Sequence, residues 1–506
     1  MSGFPWLSAI VFTPWLGALV LAWLRRLGAS ASRWVALLFS LSTLGLGLAA
    51  LTAFHPADAA FQLVERRAWM PALQVEYHLG LDGMSLLLVL LTGLVAPAAL
   101  LASWRLERAP RLFGALFLLL QGSALGVFLA LNFFPWFIFW ELSLVPAYFL
   151  IKLWGGSGAA RAAYQFVIYT IGGSAFLLVG FAAIYAATGT LDFPALAAGG
   201  ALAARLGNPW ATVAFLGIFL GLAVKVPLFP FHTWLPPAYA EAPTGVTMFL
   251  TGVMSKMGVY GFLRLLWPLF PAPLHAAAGA LAWLALGGVV LGALAALAQV
   301  DLKRMIAYGS VSHVSYCLLA LFAVAAAGGR AGARAPAVAA ALDGAVLQMF
   351  NHGVTAAALF ACLGVLEARA GGRRELRDFG GMRAAAPVFA GLCGIAMFAS
   401  LGLPGLNGFI SEFLVLRGVF GLAPGFAVGA CLGLLLTAVY LLNFYQRVFH
   451  GPPGPVAQGC ADLSRRELGM LAPAVAVMFL LGVFPQLALG LINPLVTAWA
   501  GGGLLP

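Results

Sequence analysis

The sequence predicts an all-α protein that crosses a membrane many times, and three observations lead there. Of its 506 residues 63% are hydrophobic and only 8% charged, against about a quarter charged in soluble proteins. Mean hydropathy is +1.00. Apolar runs of about twenty residues recur along the chain, each long enough to cross the hydrocarbon core as a helix. This composition excludes a soluble enzyme, a disordered chain and a nucleic-acid binder, although the net charge of +11 would suit the last. Cys317, Cys362, Cys393, Cys431 and Cys460 are scattered and odd in number, so neither a disulfide framework nor a metal motif follows.

In chain order the predicted spans fall near 4–24, 34–54, 81–103, 112–131, 134–154, 162–187, 210–239, 243–268, 275–299, 303–327, 338–367, 385–423, 425–449 and 468–492. That makes fourteen helices. The first apolar run, Phe4 to Trp23, follows no basic segment and precedes no small-residue cleavage site, so it reads as a retained span. Most of the 27 Lys and Arg gather in alternate loops, including Arg25, Arg26, Arg33, Arg105, Arg108, Arg111, Lys303, Arg304 and a cluster from Arg369 to Arg383. The opposite loops hold Arg66, Arg67, Arg205, Arg264, Arg330 and Arg334. Cytoplasmic loops collect the positive charge, which places both termini outside. Of the longer connections, 55–80 and 188–208 are outer and 450–467 is inner. The stretch Trp69 to His78 alternates loosely and permits a small hairpin, with coil the alternative; no chemistry is assigned to it.

Six ionisable residues lie deep in apolar sequence: Glu141, Lys225, Lys256, His313, His352 and Glu412. A charge at mid-membrane costs about 2.5–3.5 kcal/mol on insertion scales, so such groups face the bundle interior, a partner or water. Singly, a carboxylate or lysine reads as a structural ion pair and a histidine as a packing bond. Together they read as a proton path. Two ammonium groups in consecutive helices repel unless one is neutral or balanced, so movement of Glu141 relative to Lys225 would switch the proton affinity of the lysine.

Two spans are broken near these charges. Val224-Lys225-Val226-Pro227-Leu228-Phe229-Pro230 places two prolines after the lysine, and Leu403-Pro404-Gly405-Leu406-Asn407-Gly408 precedes Glu412 by one turn. The breaks, in spans 7 and 12, are five spans apart. Interrupted helices in matching positions mark inverted repeats with midplane sites. The expected organisation is a three-helix region at 1–111, a first five-helix repeat at 112–268 (spans 4–8), a second at 269–449 (spans 9–13), and an inner loop with the final span at 450–506.

Glu141 in Phe139-Trp140-Glu141-Leu142, Lys225 before the double proline, His232-Thr233-Trp234-Leu235-Pro236 and Glu241-Ala242-Pro243-Thr244 resemble the antiporter-like subunits of respiratory complex I. Ser255-Lys256-Met257-Gly258, Asp301-Leu302-Lys303-Arg304 with Ser312-His313, and Asn351-His352 extend the resemblance through the central spans. Glu412, where the L-type and antiporter relatives usually carry lysine, is similar to the M-type branch. So is the short tail of about a dozen residues after span 14.

The resemblance implies proton translocation by a bacterial NADH:quinone oxidoreductase, in the inner membrane. It implies Lys225 as central carrier, Glu141 as its modulating partner, Lys256 and His313 as relays to Glu412, and His352 as a further relay or water anchor. It puts NADH, FMN, iron-sulfur clusters and quinone on partner subunits, with no cofactor and no metal on this chain. The neighbours implied are other membrane subunits and lipid, with no nucleic acid. Multisubunit sodium/proton antiporters and membrane-bound hydrogenase or formate complexes share the fold and form the alternative within transport. A non-transporting assembly subunit is the alternative outside it. Pro236-Pro237-Ala238-Tyr239 departs from the family's Pro-Asp-Ala-His and lacks its acid and imidazole, so no proton-uptake role is assigned there.

Overall fold

A computed structural model describes residues 3–24, 26–198, 202–328 and 332–501; Arg25 and Arg330, counted among the loop charges above, lie outside them. The chain opens with α1 (Trp6–Trp23) and α2 (Ala29–Ala53), then a hairpin of β1 (Gln62–Met70) and β2 (Val75–Leu81). Next come α3 (Gly83–Ala102), α4 (Pro110–Leu129), α5 (Phe133–Trp154) and α6 (Ala159–Thr188), with the short α7 (Phe193–Ala198) and α8 (Leu202–Leu206). A first interrupted helix consists of α9 (Trp210–Lys225) and α10 (Leu235–Glu241). After it run α11 (Thr244–Leu269), α12 (Pro271–Leu297), α13 (Leu302–Ala326) and α14 (Ala335–Arg369). A second interrupted helix follows as α15 (Pro387–Ser400) and α16 (Asn407–Leu422), then α17 (Pro424–Phe449), α18 (Arg465–Val483) and α19 (Gln486–Ala500).

Among the described residues, twelve helices are long and apolar enough to cross a membrane. The two interrupted helices stand where spans 7 and 12 are expected. Local chemistry starts several elements: Asp82, Asn132 and Asp301 accept backbone N–H groups at the N-termini of α3, α5 and α13, and Ser464 with Glu467 closes a capping box on α18. The helices sort by burial. Every residue in the most apolar stretch of α11 is buried, as are 94% in α13 and α14, against 33% in α17 and 28% in α18. Apolar side chains such as Leu38, Ile168 and Val428 point outward from α2, α6 and α17, as lipid-facing positions do. The three helices carrying Lys256, His313 and His352 therefore form the centre.

One alternative is resolved and three expectations need correction. The hairpin exists, with its turn at Pro71–Leu73; the alternation read between Trp69 and His78 straddled that turn. Its His78 is buried and stands 2.5 Å from buried Asp192, tying β2 to the connection before α7. The last span does not run to 492, because Pro485 follows the end of α18 and α19 continues in a new direction against α14 and α3. The chain after α18 is therefore longer than about a dozen residues, since it includes the 15 residues of α19. Arg264, assigned to a loop from its place near a span end, is wholly buried in α11 and pairs with Asp82, the residue that caps α3.

That pair joins two central helices. A buried charge that loses its partner leaves the other uncompensated, at about 3–5 kcal/mol. Asp82→Asn should destabilise the protein by that order, read as a lower melting temperature in detergent. Asp82→Leu combined with Arg264→Met should recover most of the loss.

Candidate functional site

The first break is built around Lys225. α9 ends at this lysine, and the carbonyl of Val224, left free by the turn, accepts the indole N–H of Trp234 at 2.9 Å. Buried Lys225 lies over the Trp140 ring, its Nζ 4.9 Å from the centroid, and reaches Ser143 Oγ at 3.5 Å. Glu141 lies between those two contacts on α5 and within electrostatic reach of the lysine. The two make no ion pair. Glu141 is half-buried, and its Oε1 has no protein partner.

α11 crosses α9 closely because Gly258 lacks a side chain: a Cβ there would stand 2.4 Å from Val226 Cγ2 and 2.8 Å from its nitrogen. This contact sets the helices of Lys225 and Lys256 side by side. Five-residue turns, wider than α, occupy Leu250–Met254 and Phe262–Leu266 on either side of Lys256. Such turns expose carbonyls that must be met otherwise. Tyr239 Oη donates to Leu250 O at 3.0 Å, and Lys256 Nζ donates to Thr251 O at 2.5 Å. Tyr239, one of the departures from the family pattern, is thus engaged by backbone.

From Lys256 the polar contacts continue. Its Nζ stands 2.9 Å from His352 Nδ1 and 3.1 Å from Ser255 Oγ. The His352 and His313 rings stack with centroids 5.4 Å apart. His313 Nδ1 stands 2.8 Å from Glu412 Oε1, and its Nε2 is 3.3 Å from Ser400 Oγ at the end of α15. Both arms of the second break therefore meet His313. Gly402, in the left-handed region at φ +75, turns the chain so closely over the acid that a Cβ would lie 3.0 Å from Glu412 Oε2.

The structure brings Lys256, His352, His313 and Glu412 into one chain of neighbours, sets Lys225 on the adjoining helix, and leaves Glu141 at the rim. The sequence reading missed Gln348, whose amide donates to Glu412 Oε1 at 3.2 Å and whose Oε1 accepts from Ser411 at 2.6 Å. A signal was present: Gln348, Asn351, His352 and Thr355 recur at helical spacing along one face of α14. Asn351 donates to Asn407 O at 2.7 Å and so holds the start of α16. Ser312 donates to Val289 O at 2.7 Å, a packing bond.

At the end of the bundle where the Arg369–Arg383 cluster lies, Arg374 binds Glu241 at 2.7 Å and Asp301 at 2.6 Å, while Lys303 binds Glu367 at 2.7 Å. Burial pushes the Glu241 carboxyl up, but Arg374, the Gly158 N–H and the charge of Lys303 outweigh it and hold the group below its ordinary value.

Residues 130–437 match the family model described as NADH:quinone oxidoreductase/Mrp antiporter, TM. Across 503 residues the chain is 37% identical to NADH-quinone oxidoreductase subunit M of Rhodobacter capsulatus, covering 97% of this chain and 95% of that one. A chain of respiratory complex I from Thermus thermophilus with bound NADH superposes with a TM-score of 0.86 at 31% identity, over 99% of this chain and all of the other. A chain of the Mrp complex from Dietzia sp. shares the fold, with a TM-score of 0.80 at 22% identity over 99% of each chain.

Because the Glu241 carboxyl is depressed in the folded protein, its contribution to stability is present above its ordinary value and is lost as pH falls through the folded value. Between about pH 6 and pH 3 the melting temperature of wild type should fall more steeply than that of Glu241→Gln. Parallel curves would show that the Arg374 contact carries no linkage.

Proposed function

This chain belongs to the NADH:quinone oxidoreductase/Mrp antiporter transmembrane family, and we propose from this premise how it works as a proton-translocating, multi-pass inner-membrane subunit of the M type. The proton moves along Lys225, Lys256, His352, His313 and Glu412. The observation that carries this route is the run of contacts from Lys256 through the two histidines to Glu412, enclosed by helices buried nearly all round. Buried ionisable groups in such contact exchange protons directly or through a bridging water, and hydrocarbon around them prevents leakage.

In this reading the chain crosses the membrane fourteen times, with the interrupted helices as crossings 7 and 12. Residues 112–268 and 269–449 form two inverted five-helix repeats. Support comes from the packing: α9 leans on α6 as α16 leans on α14, each broken helix against the uninterrupted one before it. The Arg-rich end faces the cytoplasm and both termini face outward.

Glu141 acts as the input. The Glu141 carboxylate is half-buried and its Oε1 has no partner in its own chain, and an adjoining membrane subunit supplies one. Redox events elsewhere in the complex change the charge or distance that Glu141 experiences, and Lys225 responds. NADH, FMN, iron-sulfur clusters and quinone belong to partner subunits, and this chain contributes translocation without redox chemistry.

Lys225→Ala in the assembled complex should leave assembly intact and abolish this subunit's share of proton transport into vesicles. Lost assembly would instead support a scaffolding role. Lys225→Arg, which keeps charge but not a releasable proton, should also stop transport. Proton flux should be unchanged when sodium is replaced by choline; a sodium requirement would move the chain to the cation-antiporter reading.

A further inference from the structure

A slot opens on the surface of the bundle between α2, α3, α14 and α18, away from the ionisable row. Its walls are apolar, with Leu41, Leu94, Ala98 and Ala358 among them, and it encloses about 180 Å³. Through Leu101 and Met470 it continues into a smaller cleft of about 60 Å³ at the Arg-rich end, where Arg105 and Arg466 form the rim. Arg105 is exposed on the connection after α3, and Arg466 is half-exposed in the first turn of α18. Among the described residues neither is paired with a carboxylate. Arg33 adds a third like charge within reach of Arg466. The acid at the rim, Glu467, is already engaged by Ser464 and by Arg369 at 3.3 Å.

We propose that this slot and rim bind one anionic glycerophospholipid, its phosphate between Arg105 and Arg466 and an acyl chain along α3 and α18. The shape and the charge argue together. The lining of the slot runs from Leu94 to Leu101 on α3 and from Gly469 to Ala474 on α18 and is apolar throughout, which a hydrocarbon chain complements. Unpaired arginines gathered over apolar walls at the basic end of a bundle are what an anionic headgroup complements.

The test uses the whole complex, purified in mild detergent, stripped of loosely held lipid and incubated with phosphatidylglycerol or phosphatidylcholine before native mass spectrometry. Wild type should retain phosphatidylglycerol over phosphatidylcholine by roughly tenfold or more. Arg105→Gln with Arg466→Gln should abolish the preference. At Gly469, which lines the slot, a Cβ would meet nothing within 4 Å; Gly469→Phe starts from that open position to put a ring in the slot and should abolish retention. If the double arginine variant fails to assemble, Gly469→Phe decides alone. Equal retention of both lipids by wild type, unchanged retention by Gly469→Phe, or crosslinking of Gly469→Cys to a partner subunit's helix lodged in the slot would overturn the proposal.

Discussion

A charge enters a bundle of apolar helices only if something inside meets it, and that requirement organises the centre of this protein. Lys225 terminates a helix and lies over an indole. Lys256 sits between two widened turns and bonds a carbonyl that one of them releases. Glu412 follows a helix break whose two arms both reach His313. For Lys256 the departure from the regular i to i−4 ladder itself supplies the polar group, whereas Lys225 and Glu412, set beside their breaks, are met by side chains of neighbouring unbroken helices. The irregular backbone and the ionisable row are one design.

The two breaks are electrically reversed. In the first, a lysine at the end of a helix lies near a carboxylate on α5 that it does not touch. In the second, a carboxylate near the start of a helix is bonded by a histidine on α13. Acid and base have exchanged places, and contact has replaced proximity. The hairpin and the Arg264–Asp82 pair serve another purpose, holding the opposite end of the bundle together through buried charges far in sequence from one another.

Much of this was legible in the sequence because its signals are local. Hydropathy marks a span by itself, a proline pair removes helix hydrogen bonds wherever it stands, and an ionisable residue amid twenty apolar neighbours is visible without coordinates. What escaped depends on distant partners. Arg264 near a span end looks like a loop charge until Asp82, 182 residues away, is seen to bury with it. Gln348 is uncharged and drew no attention, although it bonds Glu412. The end of α18 was overrun because Phe484 and Pro485 lie in continuous apolar sequence, which measures hydropathy and not direction. The wide turns of α11 have no compositional mark, and only the absent i to i−4 bonds reveal them.

The Gly258 contact has a consequence for how the row is controlled. On one side of that crossing the ionisable groups touch or stack in succession; on the other, Lys225 stands apart both from Glu141 and from Lys256. Grotthuss-type hops run freely along a closed sequence and halt at an opening. On the proposed route the unclosed half is the valve, and the helix crossing beside it is held by a residue with no side chain to lend it slack.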